Sequence, residues 1–343
     1  MDSGQAGSIE LGSHGSHSKL LTMKVLIICS GNAGQISPFV HEQVESVKML
    51  GVEFEYYNVL GKGISGYLNN VRPLRRRINS YQPDIIHAHY GLSGLFSLLV
   101  KGRKPLITTF HGNDINTLHP LNKLKPNWNK ILSGVVHFLA NHSIFVTEDI
   151  AYQIKAKPSK SDIIPCQVNP DTFYPADKAF ARKQLNLSPS KRYVLFSSSF
   201  GTYIKNYPLA KQACLHFDNL ELIELSGFTR QEVNLLLNAS DLALLTSFNE
   251  GSCQFLKEAM ACNRPVVSTK VGDSEWILGN TEGCYLTSFA PEDVTGNVKK
   301  ALEFSQTRGQ TNGRDRIMEL GLDAETIAGR VLEVYKKVLK IGD

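Results

Sequence analysis

The chain has 343 residues, 42% of them hydrophobic and 20% charged, a composition that fits two globular domains and excludes a fibrous or wholly disordered protein. A formal net charge of +5 favours anionic ligands or an anionic surface but is too small to argue for nucleic acid. The six cysteines stand apart, without a CxxC pair or a histidine at metal-ligand spacing, which excludes the usual zinc patterns and fits reduced core thiols in a cytoplasmic compartment.

Residues 1–22 are rich in Gly, Ser and His and have no apolar core, so they read as a tag or disordered leader and not as a secretory signal. Met23 then reads as the natural start. The best apolar run, Gly91 to Val100, is about half the ~20 residues needed to cross a bilayer.

From Lys24 onward, short apolar runs alternate with helical patterns. KVLIICS reads as a buried strand, and Pro38 to Leu50 as a helix with Phe39, Val40, Val44 and Val47 on one side and Gly51 as its stop. VEFEYYNV, PDIIHAHY, PLITTFHG and HSIFVT read as further strands. The segment SDIIPCQVNPDTFYP is dense in Pro and turn residues and reads as a linker. A second alternating series follows: RYVLFSSS, LELIELSG, DLALLTSF, RPVVSTKVG and GCYLTS. The chain closes on an amphipathic helix with Ile327, Val331, Val334 and Val338 on one side. Strand–helix alternation of this kind predicts an α/β fold of two doubly wound parallel sheets facing a cleft, with ligands outside the C-terminal strand ends.

The segment from Asp241 to Ile277 carries the densest chemistry. A strand runs out at Thr246-Ser247, a loop carries Glu250, Gly251 and Ser252, and a helix begins near Cys253. The loop glycine and the helix N-terminus are expected to turn backbone amides and a positive dipole end toward an anionic ligand. Glu258 lies in that helix among Phe255, Leu256, Ala259 and Met260, where a carboxylate needs a partner. It is either a ligand's hydroxyls or a structural Arg or Lys. Glu250 lies eight residues earlier and can flank the same ligand or simply cap the helix.

The string NEGSCQFLKEAMACNRPVVSTKVG closely resembles the donor-site signature of glycosyltransferase family 4. That resemblance implies a GT-B fold, two Rossmann-like doubly wound domains facing an interdomain cleft. The acceptor-side domain would span residues 23–167 and the donor domain 168–324, and the last helix, about 325–343, can pack back on the first. It implies that Glu250 lies against the donor sugar, that the backbone of Gly251, Ser252, Cys253 and Gln254 holds sugar hydroxyls, and that Glu258 binds the nucleotide ribose. Cys253 stands where relatives often have Pro. In YVLFSSSFGTYIKN, Lys205 matches the family lysine on the diphosphate, while Ser199 stands where the family usually places an arginine. Phe228, in LSGFT, falls where relatives pass the nucleotide base, and reads equally as a core aromatic.

The first half adds Gly31 and Gly34 in GNAGQISPF. They do not make a GxGxxG fingerprint, but resemble the family's loop near the donor phosphates or the acceptor. TTFHGND matches the family's HGxD, which implies that His111 faces the transferred sugar and Asp114 stands on the acceptor side. His87 and His89 read first as structural. The basic cluster Arg72, Arg75, Arg76 and Arg77, with Lys101, Arg103 and Lys104, is either a solvated face or a docking patch for an anionic membrane.

With no DxD motif at a strand end, transfer is expected to be metal-independent and without cofactor, and the family resemblance implies a retaining hexosyltransferase. It would use a UDP- or GDP-sugar and a saccharide or lipid-linked acceptor in bacterial surface-polysaccharide synthesis, in the cytoplasm or peripherally on the inner face of the membrane. A same-fold nucleotide-sugar epimerase or hydrolase, or a non-catalytic nucleotide-sugar-binding protein, remain the competing readings. A nicotinamide oxidoreductase is disfavoured because GxGxxG is missing.

Overall fold

A computed structural model describes residues 23–115 and 127–341 apart from Ala33, Gln35 and Lys62. The expected leader, residues 1–22, lies outside the described residues.

Two parallel sheets organise the chain. The first contains β1 (Lys24–Ser30), β2 (Glu53–Val59), β3 (Ile85–His89), β4 (Leu106–Phe110), β5 (His142–Phe145) and β6 (Ser161–Ile163), in the order β2-β1-β3-β4-β5-β6. Its helices are α1 (Pro38–Lys48), α2 (Gly63–Leu68), α3 (Val71–Tyr81), α4 (Gly91–Val100), α5 (Trp128–Leu139) and α6 (Glu148–Gln153). The second sheet has the order β11-β10-β9-β7-β8, with β7 (Arg192–Phe196), β8 (Leu220–Glu224), β9 (Leu242–Leu245), β10 (Val266–Thr269) and β11 (Cys284–Thr287). It carries α7 (Lys178–Gln184), α8 (Tyr207–Cys214), α9 (Arg230–Ala239), α10 (Gln254–Ala261), α11 (Ser274–Leu278), α12 (Pro291–Thr307) and α13 (Gly313–Glu319). A last helix, α14 (Ala324–Leu339), closes the chain.

The continuous Val/Ile/Leu content of β1 follows from its central place, because alternate side chains must enter two different cores. Val25 and Ile27 pack with Val40 and Val44 of α1 and Val334 of α14, whereas Leu26 and Ile28 pack with Leu74 of α3 and Phe96 of α4. Thus α1 and α14 cover one face of the first sheet, and α3, α4 and α5 the other. The return of α14 is fixed by a polar contact as well. Tyr335 Oη lies 2.7 Å from His87 Nδ1 of β3, both groups buried. The chain passes between the sheets twice, and the two passages touch where Val168 N donates to Leu322 O at 2.9 Å.

The segment read as a pure linker is partly a strand. β6 pairs Ser143 with Ser161 and Phe145 with Ile163 on the edge of the first sheet. An edge strand of three half-buried residues leaves almost no periodic signal for a sequence reading.

Candidate active site

Strand ends of both sheets converge on one cleft. Tyr90 and His111 follow β3 and β4, and Ser197 follows β7. They line a cavity of about 280 Å³ together with Lys205, Glu250 and Glu258. That is the crevice outside the carboxyl ends of the strands where open α/β sheets bind ligands.

Glu250 and Lys205 meet directly. Lys205 Nζ donates to Glu250 Oε1 at 2.7 Å, and Ser247 Oγ donates to the same oxygen at 2.6 Å. The lysine closes the single turn Tyr203–Lys205, after which Asn206 takes a left-handed conformation with φ 54°. Thr246 Oγ1 donates to the carbonyls of both Lys205 and Asn206 at 3.0 Å, so the end of β9 clamps the lysine's backbone.

Glu258 is buried and ion-paired. Arg230 of α9 donates to Glu258 Oε1 at 2.7 Å and, through Nε, to Glu42 Oε1 of α1 at 2.7 Å. The guanidinium lies over Phe173, 4.5 Å from the ring centroid. Burial pushes the Glu258 carboxyl above its usual range, and Arg230 opposes that shift. Both partners foreseen for Glu258 are therefore compatible: it lines the cleft, and a structural arginine holds it. Arg230 and Glu42 escaped the sequence reading because they come from α9 and α1, far from the motif along the chain.

The loop between β9 and α10 is braced from beneath. Lys257, with a fully buried side chain, lies 3.5 Å from Asp273 Oδ2 and also donates to Ser252 Oγ. Asp273 in turn accepts from Ser252 Oγ at 2.8 Å and from the Cys253 amide at 2.7 Å. This narrows the expectation of helix-end amides free for a ligand at one position, Cys253. The amide that Cys253 has and Pro would lack is taken by a carboxylate, which also satisfies the positive dipole end. The Ser252 hydroxyl is likewise spent, so only its backbone remains for a ligand. Gln254 lines the cavity while donating to Gln167 O at 2.9 Å. Gly251 packs so tightly on the first lobe that a Cβ there would overlap the His111 carbonyl oxygen.

His111 belongs to a stack of three imidazoles. Its Nε2 is 3.0 Å from His89 Nδ1, and the His89 ring stacks on His87 with centroids 4.6 Å apart. Burial drives all three below the ordinary histidine range, His89 to about 3, so the rings are neutral at pH 7. His89 is thus a direct support of His111, beyond the purely structural reading. Asp114 is not in the cavity lining, whereas its neighbour Asn113 is. The Asp114 carboxylate accepts from the amides of Gly91 and Gly112, each at 3.0 Å, and pins the loop after β4 to the start of α4.

Other expected contacts lie elsewhere. Ser199 Oγ donates to Glu224 Oε1 at 2.7 Å and is outside the lining, and Ser197, two residues earlier, takes the inward position. Phe228 is 40% exposed and belongs neither to the cavity lining nor to a core cluster; Leu225 lines the cavity instead. Gly31 donates to Val59 O at 2.9 Å, and Gly34 has φ 79° with open space at its Cβ position. Neither glycine lines the cavity. Among the described residues, no group of three His, Cys, Asp or Glu is arranged to hold a metal.

Family models decide the affiliation. The model described as Glycosyltransferase Family 4 matches residues 23–172, and that described as Glycosyl transferases group 1 matches residues 201–304. The chain belongs to glycosyltransferase family 4. Its curated relatives include a D-inositol 3-phosphate glycosyltransferase of Pseudarthrobacter chlorophenolicus, 23% identical over 324 residues that cover 71% of this chain and 76% of that protein. An N-acetyl-alpha-D-glucosaminyl L-malate synthase of Bacillus anthracis is 24% identical over 301 residues, covering 75% of each. Among solved structures, sucrose-phosphate synthase from Thermosynechococcus elongatus superposes with a TM-score of 0.79 at 17% identity, over 93% of this chain and 100% of that one. Anabaena HepE in complex with UDP gives 0.72 at 14% identity, over 92% and 100%. The glycosyltransferase therefore has the expected GT-B fold.

Proposed function

We propose that this glycosyltransferase moves a hexose-type sugar, with retention of configuration, from a UDP- or GDP-sugar to a saccharide or lipid-linked acceptor for surface polysaccharide, at the cytoplasmic side of the membrane. The donor lobe spans residues 168–324 and the acceptor-side lobe 23–167. One observation carries the reading: Lys205, Glu250 and Glu258 of the second lobe line the same cavity as His111 of the first.

In this reading Glu258 accepts from the ribose hydroxyls, with Arg230 fixing its rotamer. Glu250 and the Gly251 backbone hold the sugar, and neutral His111 hydrogen-bonds it from the opposite wall. Lys205 shares its ammonium between Glu250 and the diphosphate, so that negative charge developing on the leaving group is met without a metal. As the bond from the anomeric carbon to the phosphate oxygen breaks, its electron pair passes to the diphosphate. The acceptor oxygen then attacks from the same face and loses its proton to that phosphate. No protein base is required.

Glu258→Ala is expected to weaken UDP or GDP binding by about 1–3 kcal/mol through lost charged hydrogen bonds. Unchanged affinity by calorimetry would refute the ribose role. Transfer is also expected to persist after EDTA treatment and gel filtration, and abolition reversed by added Mg²⁺ would overturn the metal-free account. Thermal-shift screening with UDP-, GDP- and ADP-sugars identifies the donor, because binding raises stability by mass action. The names of the relatives add inositol phosphates and hydroxy acids to the acceptors worth assaying.

A further inference from the structure

The outer layer of the first sheet bears an apolar surface that nothing in the transfer reaction uses. On α5, Trp128 (67% exposed), Ile131 (50%), Val135 (43%), Phe138 (68%) and Leu139 (52%) all face outward. At 100° per residue these five fall within about one third of the helix circumference. The helix is thus apolar on two sides, since Val136 is fully buried beneath it. A soluble monomer rarely leaves such a stripe uncovered.

The charges of the same layer select what covers it. α3, α4 with the turn that follows it, and α5 together carry eight Lys and Arg and no Asp or Glu. Arg77 is matched by Glu55 at 2.7 Å, while Arg72, Arg75 and Arg76 are exposed and pair with no carboxylate among the described residues. Arg75 reaches across to the carbonyl of Leu99 on α4, itself 54% exposed, so the basic and apolar helices form one continuous surface. At the far end of α5, the ammonium groups of Lys157 and Lys160 each lie 6.0 Å from the centroid of Phe138. A second copy of the chain docked on this face would set cation against cation. An anionic lipid surface matches both properties, taking the apolar stripe into its interfacial region and the cations at its headgroups.

We infer that α5 lies in the plane of an anionic bilayer and inserts Trp128, Ile131 and Phe138, with the α3 arginines beside it on the headgroups. This rests on the peripheral attachment proposed above and adds the surface that enters the membrane. The buried side of the same helix and its cap hold the loop that follows His111: Ser133 Oγ donates to Asp114 O at 3.0 Å, and Asn127 Nδ2 to Ile115 O at 2.7 Å. Docking on α5 therefore sets the bilayer against the lobe that carries His111.

The test is flotation of the full chain with phosphatidylcholine vesicles, with and without phosphatidylglycerol, for the parent, I131D/F138D and R72E/R76E. The parent is expected to float with the anionic vesicles only, and each variant to lose about tenfold or more of that binding. The nucleotide-induced thermal shift should stay as in the parent, which shows the variants folded. If the parent fails to float, the peripheral attachment fails and this inference with it. If the parent and I131D/F138D float equally, the attachment stands and α5 is not its inserting element. A parent that sediments as a dimer, and as a monomer in I131D/F138D, would reassign the face to self-association.

Discussion

Lys205→Ala is expected to lower kcat by about 10²–10³-fold, the loss typical of one electrostatic donor aimed at developing charge. The structure separates this effect from folding. The backbone of Lys205 is held by Thr246 Oγ1 and not by its own side chain, which is 21% exposed. Glu250, its partner, keeps Ser247 as a donor after the truncation. The melting temperature is therefore expected to move by no more than a few degrees, the equivalent of about 1 kcal/mol. Ser199, at the position where the family usually carries a second cation, is turned toward Glu224, so the proposed mechanism rests on Lys205 as the main charge for the diphosphate. Normal turnover in Lys205→Ala would remove the basis of the mechanism proposed here.

Asp273→Ala is expected to cost about 3–5 kcal/mol of folding stability, because it strands a buried ammonium. The Lys257 side chain is 0% exposed and that of Asp273 6%, so little water can replace the lost carboxylate. The Cys253 amide and the Ser252 hydroxyl lose their acceptor in the same step. The double variant K257M/D273N removes both charges and keeps an acceptor oxygen, and is expected to regain most of the loss, since a buried pair replaced as a whole is often near neutral. Denaturant unfolding measures both. A loss below 1 kcal/mol in Asp273→Ala would show that water or another group already satisfies Lys257.

What the sequence disclosed and what it withheld have physical causes. β1 and α1 could be read almost to the residue because a central strand must be apolar on both faces, and a helix beginning at Pro38 and stopping at Gly51 is punctuated by its own chemistry. β6 was hidden because it is too short and too exposed to show a period. In the site, Glu250, Glu258 and Lys205 could be singled out because they stand in motifs that resemble the family's donor-site signature, and Glu258 also because a carboxylate in an apolar helix needs a partner. Lys257 carries the same signal as Glu258, a charge in a helix whose other side chains are apolar apart from Gln254. Phe228 misled because its type fits a base platform, while its place before the Thr229 cap of α9 leaves it on the surface. Arg230, Glu42 and Asp273 could not be paired with their partners from local patterns, since only the tertiary fold unites α9, α1 and the turn after β10.

The double passage of the chain between the sheets has a mechanical consequence. Two covalent crossings joined by a hydrogen bond from Val168 to Leu322 behave like a hinge with two adjacent pins. Such a joint allows the halves to swing about the line through the pins and resists twist or sideways slip. The Glu42–Arg230–Glu258 bridge is a clasp at another point of contact between the halves. A swing of that kind would draw Glu42 away from Arg230 and admit a nucleotide sugar, while the aligned strand ends would return to the same register at every closure.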